Sequence, residues 1–318
     1  MNKFVTIGEP LVVYASDDVD VPLNEATHFT RYPAGAELNV TIGLNQLGCQ
    51  GTYISALGAD SNGHFIRHAL AKKGIETDHL IENPNARTGI YFKERVTQGE
   101  PKIEYARAHS AASQLKITDI PALDFTDVRV LHLTGIAAAI SHEMFQTVEQ
   151  LIIDAKKAGV TVIFDPNIRP ALWTSKASMV RGLNHLAAQC DVILPGVGEG
   201  ELLTGSSDPE AIADFYLNLS TLHLVVVKSG ETGAYAKNDR NEIYQIAAFH
   251  VNKVVDTVGA GDGFAAGFIS GILAELPLEQ SLLRANAVGA FAVQSEGDNS
   301  GYPTEAELER FLQEHVGK

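Results

Sequence analysis

The chain has 318 residues, of which 45% are hydrophobic and 20% charged, and a formal net charge of −15. That length and apolar content can fill one large α/β core or two smaller ones, while the acidic balance speaks against nucleic acid and anionic membranes, which select clustered Lys and Arg. The two cysteines, Cys49 and Cys190, lie far apart without metal-ligand spacing, which argues against a disulfide framework or zinc site and for buried thiols in a reducing cytoplasm.

The opening residues reach Gly8-Glu9-Pro10 before a signal-peptide core develops, and no run attains the roughly 18 apolar residues of a membrane helix. A cytoplasmic protein is expected. Short β-branched runs at 4–7, 51–55, 128–133, 160–164, 191–194 and 222–227 read as strands. Between them, 37–47, 61–74, 141–158, 177–189 and 208–219 carry apolar residues at three- and four-residue spacing, with Gly48, Gly74 and Gly159 where helices should stop. This alternation predicts a mainly parallel sheet covered by helices. Residues 11–32 and 88–108 break the pattern and predict a small antiparallel appendage, a lid or dimer surface. Its second half turns at Gln98-Gly99-Glu100-Pro101, and period two puts Tyr105 and Arg107 on one face.

The most informative segment is Asp256-Thr257-Val258-Gly259-Ala260-Gly261-Asp262-Gly263-Phe264. Glycines 259, 261 and 263 leave backbone N–H groups bare before a helix expected from 264 to about 273, whose N-terminus attracts anions. A carboxylate such as Asp262 suits that phosphate cradle when it takes a proton from a hydroxyl attacking phosphorus. A Walker A pattern is absent from the sequence. Gly261 to Ala266 does fit the dinucleotide-binding pattern G-x-G-x-x-A, but it lies in the last quarter of the chain with Asp262 where a pyrophosphate would press. The histidines, His64, His109, His132 and His142 among them, show no metal spacing and read as structural.

The same segment resembles the C-terminal signature of the ribokinase-like (PfkB) carbohydrate kinases. Their N-terminal motif is similar to Ala34-Gly35-Ala36-Glu37-Leu38-Asn39-Val40-Thr41-Ile42-Gly43-Leu44-Asn45-Gln46-Leu47-Gly48, in the family's order and about 220 residues upstream. The resemblance covers the whole chain and implies one domain over 1–318, a three-layer α/β/α sandwich with a mainly parallel sheet and a β lid. It makes Asp262 the catalytic base and the backbone of Gly259, Ala260 and Gly261 the anion hole, with ATP and Mg²⁺ as cofactors.

Further segments are similar to the 2-keto-3-deoxygluconate kinases within that family. This likeness implies sugar contacts at Gly35, Asn39, Tyr91, Tyr105, Arg107, Ile136, Arg169 and Asp298. It also implies nucleotide contacts at Asn167, Lys228, Gly230, Gly233 and Asn286, and an acid near Mg²⁺ at Glu199. A sugar acid carries a carboxylate that two guanidinium forks would match, so two arginines in an acidic chain favour that substrate class.

Some readings stay open. Arg107 can also be a solvated strand residue, Tyr91 and Tyr105 dimer packing, and Asp298 equally a polar turn residue. Asp256 either caps the glycine turn or helps hold a monovalent cation, as the resemblance allows. Gly196 stands where the family's N-x-x-E motif has asparagine, and Ala34 replaces a common glycine. The expectation is an ATP-dependent kinase of 2-keto-3-deoxygluconate acting at O6, assembled as a homo-oligomer through the lid. Its competitors are a kinase of fructose, ribose, a nucleoside or 5-keto-2-deoxygluconate, a binding protein without turnover, and a dehydrogenase.

Overall fold

The computed structural model describes residues 3–99, 101–219, 221–295 and 297–315. Glu100 of the expected lid turn, and Met1 and Asn2 of the opening segment, lie outside the described residues. The strands in chain order are Lys3–Ile7 (β1), Leu11–Val19 (β2), Phe29–Ala34 (β3), Gln50–Gly58 (β4), Leu80–Asn83 (β5), Ile90–Arg95 (β6) and Ile103–Ala106 (β7). They continue with Val128–Thr134 (β8), Thr161–Asp165 (β9), Val192–Ile193 (β10), Leu224–Lys228 (β11), Ala234–Asn238 (β12) and Ile243–Ile246 (β13). The first five helices are Ala36–Gln46 (α1), Ser61–Lys72 (α2), Gly135–Ala139 (α3), His142–Lys157 (α4) and Lys176–Ala187 (α5). The others are Val197–Thr204 (α6), Pro209–Leu217 (α7), Ala260–Leu273 (α8), Leu278–Ala292 (α9) and Glu305–His315 (α10).

Nine strands form one sheet in the order β13-β12-β11-β10-β9-β8-β1-β4-β5. It is parallel from β11 to β5, and β12 and β13 extend it antiparallel at one edge. Alternate residues face opposite layers. Val5, Ile7, Leu131, Leu133, Val162 and Phe164 pack against the helices α4, α5 and α7 through Leu151, Leu183 and Ile212. Phe4, Val130, Ile163 and Val226 pack on the other face against Val40 and Leu44 of α1 and Phe264 and Phe268 of α8. A parallel sheet buried on both faces needs apolar residues at both parities, which is why these strands read as continuous apolar runs. No helix among the described residues is long and apolar enough to cross a membrane.

The remaining strands form a second sheet, β3-β2-β6-β7. The β2–β3 and β6–β7 pairs are antiparallel, as expected, whereas the central β2–β6 pair is parallel. Between β3 and β6 the chain returns to the main sheet through α1, β4, α2 and β5, so it enters the small sheet twice from the same end. One face of this sheet packs Tyr14 and Phe29 against Phe92, and Tyr14 Oη donates to Asn62 Oδ1 of α2 at 2.7 Å. The opposite face carries Leu11, Val13 and Tyr91.

Helices α8 and α9 approach closely because glycines recur every fourth residue along α8. A Cβ on Gly267 would lie 2.6 Å from the Arg284 carbonyl oxygen and 2.8 Å from Ala285 Cα, and one on Gly271 would lie 2.5 Å from Ser281 Oγ. Backbone cannot yield as a flexible side chain does. Gly267→Ala is therefore expected to destabilise the protein by about 1 to 3 kcal/mol despite alanine's better helix propensity, read as a lower urea midpoint at unchanged slope. A midpoint at or above the parent's would show that the helices part without cost.

Candidate active site

Four parallel strands deliver chemistry at their carboxyl ends: β1 runs into Gly8-Glu9, β8 ends at Thr134, β9 at Asp165 and β11 at Lys228. That edge of an open α/β sheet is where ligands bind. A cavity of about 440 Å³ lies there, and Tyr91, Lys93, Ile103 and Tyr105 of the small sheet line it from the other side. Tyr91 pairs with Tyr105 across β6 and β7, and Lys93 with Ile103, so period two puts all four on one face.

Helix α8 begins at Ala260, not at 264. Gly259 is its N-cap in the left-handed region at φ 80°, and the Gly263 N–H is already donated to the Gly259 carbonyl at 2.8 Å. The glycines expected to form a loop are thus partly inside the first turn. A Cβ on Gly259 would fall 1.9 Å from the Asp298 carbonyl oxygen, so only glycine fits between the turn and the 297–301 loop. First-turn amides lack intrahelical acceptors. Of the expected anion-hole residues, Gly259 and Gly261 line the cavity, while Ala260 does not and its N–H leans on the Thr257 carbonyl at 3.4 Å.

Asp262, in the first turn of α8, is 9% exposed and faces the cavity. Its Oδ2 accepts from Asn39 Nδ2 at 2.8 Å and its Oδ1 from Asn167 Nδ2 at 3.1 Å. Asn39 is itself oriented, since its Oδ1 accepts from Asn299 Nδ2 at 2.8 Å. Asn167 holds a left-handed φ of 35°, which aims its amide inward, and asparagine tolerates that geometry better than most residues. Burial raises the Asp262 carboxyl to about 6, opposed by the Asn39 hydrogen bond and assisted by nearby Asp165. The group is a carboxylate poised to exchange a proton near neutral pH.

The cations around it are mostly neutralised. Arg107 donates through Nε at 2.8 Å and through Nη2 to Glu9 Oε2. Lys93 Nζ reaches Asp256 Oδ2 at 2.7 Å, and Lys228 Nζ reaches Asp165 Oδ2 at 2.6 Å. Arg169 differs: its Nη1 donates to the Ile168 carbonyl at 2.9 Å, and no acid stands within ion-pair distance of it among the described residues. Tyr91 Oη donates to Asp298 Oδ2 at 3.0 Å, and burial raises the Asp298 carboxyl. Gly35, at φ 128°, and Ile136, at the start of α3, complete the expected sugar-side wall.

The nucleotide-side expectations divide. Asn167 and Lys228 line the cavity, whereas Gly230, Gly233 and Asn286 do not. Gly233 turns the chain between β11 and β12, and a Cβ there would strike the Ile246 carbonyl at 2.0 Å. Asn286 Nδ2 donates to the carbonyls of Ile246 and Ala247, both at 3.1 Å, holding α9 against β13. Glu199 lines the cavity, but its Oε1 accepts from the Ile168 N–H at 2.8 Å and its Oε2 from the Gly196 N–H at 2.7 Å. Gly196 therefore meets the acid through its backbone. No group of three or more His, Cys, Asp or Glu that could hold a metal occurs among the described residues.

Sequence reasoning passed over Glu9 and Lys93 as cavity residues. Each carried a readable signal, Glu9 as an acid directly beyond a strand's carboxyl end and Lys93 as the alternate partner of Tyr91. Asp256 resolves toward capping, with Oδ1 accepting from the Val258 N–H at 3.0 Å, and adds the ion pair to Lys93.

Comparison with known proteins extends this picture. The profile of the pfkB family carbohydrate kinases matches residues 1–305. A 2-dehydro-3-deoxygluconokinase from Bacillus subtilis is 42% identical over 312 residues, covering 97% of this chain and 94% of the relative. A crystal structure of a PfkB protein from Polaromonas superposes with a TM-score of 0.89 at 38% identity, over 98% of this chain and 100% of the other. A putative ribokinase II from Escherichia coli, solved with ATP and Mg²⁺, gives 0.90 at 28% identity over 99% and 100%. The fold is ribokinase-like, and the chain belongs to the pfkB family of carbohydrate kinases, phosphotransferases that act on a sugar hydroxyl.

Proposed function

We propose that the chain transfers the γ-phosphoryl group of ATP to the primary hydroxyl, O6, of a sugar acid, 2-keto-3-deoxygluconate. The observation that carries this reading is the pairing, in one cavity, of a carboxylate that burial raises to about 6 with an arginine that makes no ion pair among the described residues. The 42% identical 2-dehydro-3-deoxygluconokinase supports the same sugar. Asp262 takes the proton from the attacking hydroxyl, and the first-turn amides of α8 with its positive helix end receive charge on the transferred oxygens. Gly35, Asn39, Tyr91, Tyr105, Arg107 and Asp298 surround the sugar. Arg169 meets its carboxylate as a bidentate donor.

Lys228 and the glycine turn before β12 face the nucleotide in this reading, and Asn286 acts at one remove by fixing the backbone at 246–247. Mg²⁺ would enter with ATP, since magnesium takes one or two carboxylates and otherwise phosphates and water. Bound there, it would neutralise phosphate charge. Both Glu199 oxygens already accept backbone N–H groups, so Glu199 would face the ion through its water. The small sheet acts as a lid within one domain, and its outward Val19 and Tyr32 suit contact with a second copy in a cytoplasmic oligomer.

Coupled ADP release across sugar acids and neutral sugars tests the substrate. The highest kcat/KM is expected for 2-keto-3-deoxygluconate, and a neutral hexose or ribose leading the panel would remove that assignment. Arg169→Ala is expected to cost roughly 2 to 5 kcal/mol in kcat/KM for the sugar acid, with little change for neutral sugars. Asp262→Asn should lower kcat by about 10² to 10⁴ while KM for ATP stays within a few-fold, and near-parental turnover would exclude Asp262 as base.

The same carboxyl predicts two pH effects. Activity needs it ionised, so kcat/KM of the parent should fall below about pH 6. Because folding raises its pKa, the folded state keeps a proton that the unfolded chain has lost between about pH 4 and 6, and stability falls as pH rises through that window. In urea titrations, the stability of Asp262→Asn relative to the parent should improve by about 2 to 3 kcal/mol from pH 4 to pH 8. A pH-independent difference would mean the carboxyl titrates normally.

A further inference from the structure

Glu9 has a buried carboxylate with every oxygen assigned, none of it to the proposed chemistry. Its side chain is 1% exposed, and that of Arg107 is 12% exposed. Oε2 accepts both Arg107 Nε and Nη2, and Oε1 accepts Ser110 Oγ at 2.5 Å. The Ser110 N–H in turn closes on the Arg107 carbonyl at 3.2 Å, so acid, arginine and serine form one closed unit.

Two glycines make room for it. A Cβ on Gly35 would lie 2.6 Å from the Glu9 carbonyl oxygen, and one on Gly89 would lie 2.6 Å from Glu9 Oε1 and 3.3 Å from Arg107 Cβ. Gly35 thus makes room for the Glu9 backbone and Gly89 for its carboxylate. A solvated strand arginine would need none of this.

We propose that Glu9 is a positioning residue for the sugar, acting through Arg107. It fixes one edge of the guanidinium, leaves the remaining N–H groups aimed at the cavity, and cancels the charge. Arg107 then offers oriented donors to hydroxyl and keto oxygens, and Arg169 alone offers net charge to a carboxylate. The proposal rests on the sugar-acid reading for that last division, but the role of Glu9 itself holds for whichever sugar the enzyme prefers.

A double-mutant cycle decides it, run on the best sugar of the panel so that a wrong sugar acid leaves the test intact. Glu9→Ala is expected to lower kcat/KM by about 30-fold or more, through KM for the sugar, with KM for ATP within about twofold. In an Arg107→Ala background the same change should cost less than about threefold, since the group through which Glu9 acts is gone. A multiplicative loss in that background would show Glu9 touching the sugar directly, and a parental kcat/KM for Glu9→Ala would show no role; either overturns the proposal. If Glu9→Ala does not fold with Arg107 left uncompensated, the cycle with Glu9→Met, which roughly keeps the volume and removes both carboxylate acceptors, gives the same decision.

Discussion

The site depends on keeping one carboxylate, Asp262, out of water with no cation in ion-pair contact among the described residues, although the charges of Lys228 and Arg169 reach it. Asp262 is held by two side-chain amides, from Asn39 of α1 and from Asn167 beyond β9, while it sits itself on α8. A guanidinium in direct contact would pull a carboxyl down by one to three pKa units, whereas amide donors stabilise the charge weakly and leave burial in control. The result is a group near 6 rather than near 3. It also sets a demand on the fold, because a helix start, a second helix and a strand end must converge within hydrogen-bond distance. The three-layer sandwich meets that demand at the carboxyl edge of its parallel strands, and Asn299 locks Asn39 from a fourth segment.

Charge around Asp262 follows the same logic. Lys93 with Asp256 and Arg107 with Glu9 are matched pairs, and Lys228 with Asp165 is a third, so the cavity gains directed N–H groups with little net field. One of these pairs, together with a hydrogen bond from Tyr91, joins the small sheet to the glycine turn and the 297–301 loop. Lys93 grips the residue that caps the glycine turn, and Tyr91, two residues before it on β6, grips Asp298, whose carbonyl abuts Gly259. Displacement of β6 is therefore felt at the start of α8. In the proposed reaction this couples closure over the sugar to the placement of the amides that receive phosphoryl charge.

Much of this was legible in the sequence, for identifiable reasons. The strands at 4–7, 128–133 and 160–164 are mainly apolar runs, because a doubly covered parallel sheet buries residues of both parities, and their positions hold to within one or two residues. Asp262, Gly259 and Gly261 drew notice as a glycine turn carrying an acid, and they line the cavity. The start of α8 was misplaced because glycine's low helix propensity suggested a loop, whereas Gly263 and Gly267 serve packing against Tyr302 and α9. Strand pairing inside the small sheet could not be read locally, since parallel β2–β6 pairing follows from the route of the chain. Glu9 was passed over because its partner lies 98 positions away, and periodicity carries no information at that range.

Beyond Asp262, further buried polar groups extend the argument about burial. Glu37, on the same helix as Asn39, accepts from Thr134 Oγ1 through one oxygen, while its other oxygen is buried without a partner. Burial raises this carboxyl to about 7, and the charge of Asp262 adds to the rise. Gly8 has no side chain because a Cβ there would lie 2.0 Å from that unpartnered oxygen. His132, on β8, accepts or donates at Nδ1 to Thr6 with its Nε2 unpaired, and burial depresses it to about 3, so it stays neutral. Such groups cost stability and contribute nothing to a hydrophobic core. The Glu37 and Asp262 charges oppose each other, so an ionised Glu37 would push Asp262 still higher. The proton affinity of Asp262 is thus set first by its burial and then by the Asn39 amide, with the charges of Asp165, Lys228 and Arg169 acting on it from further off.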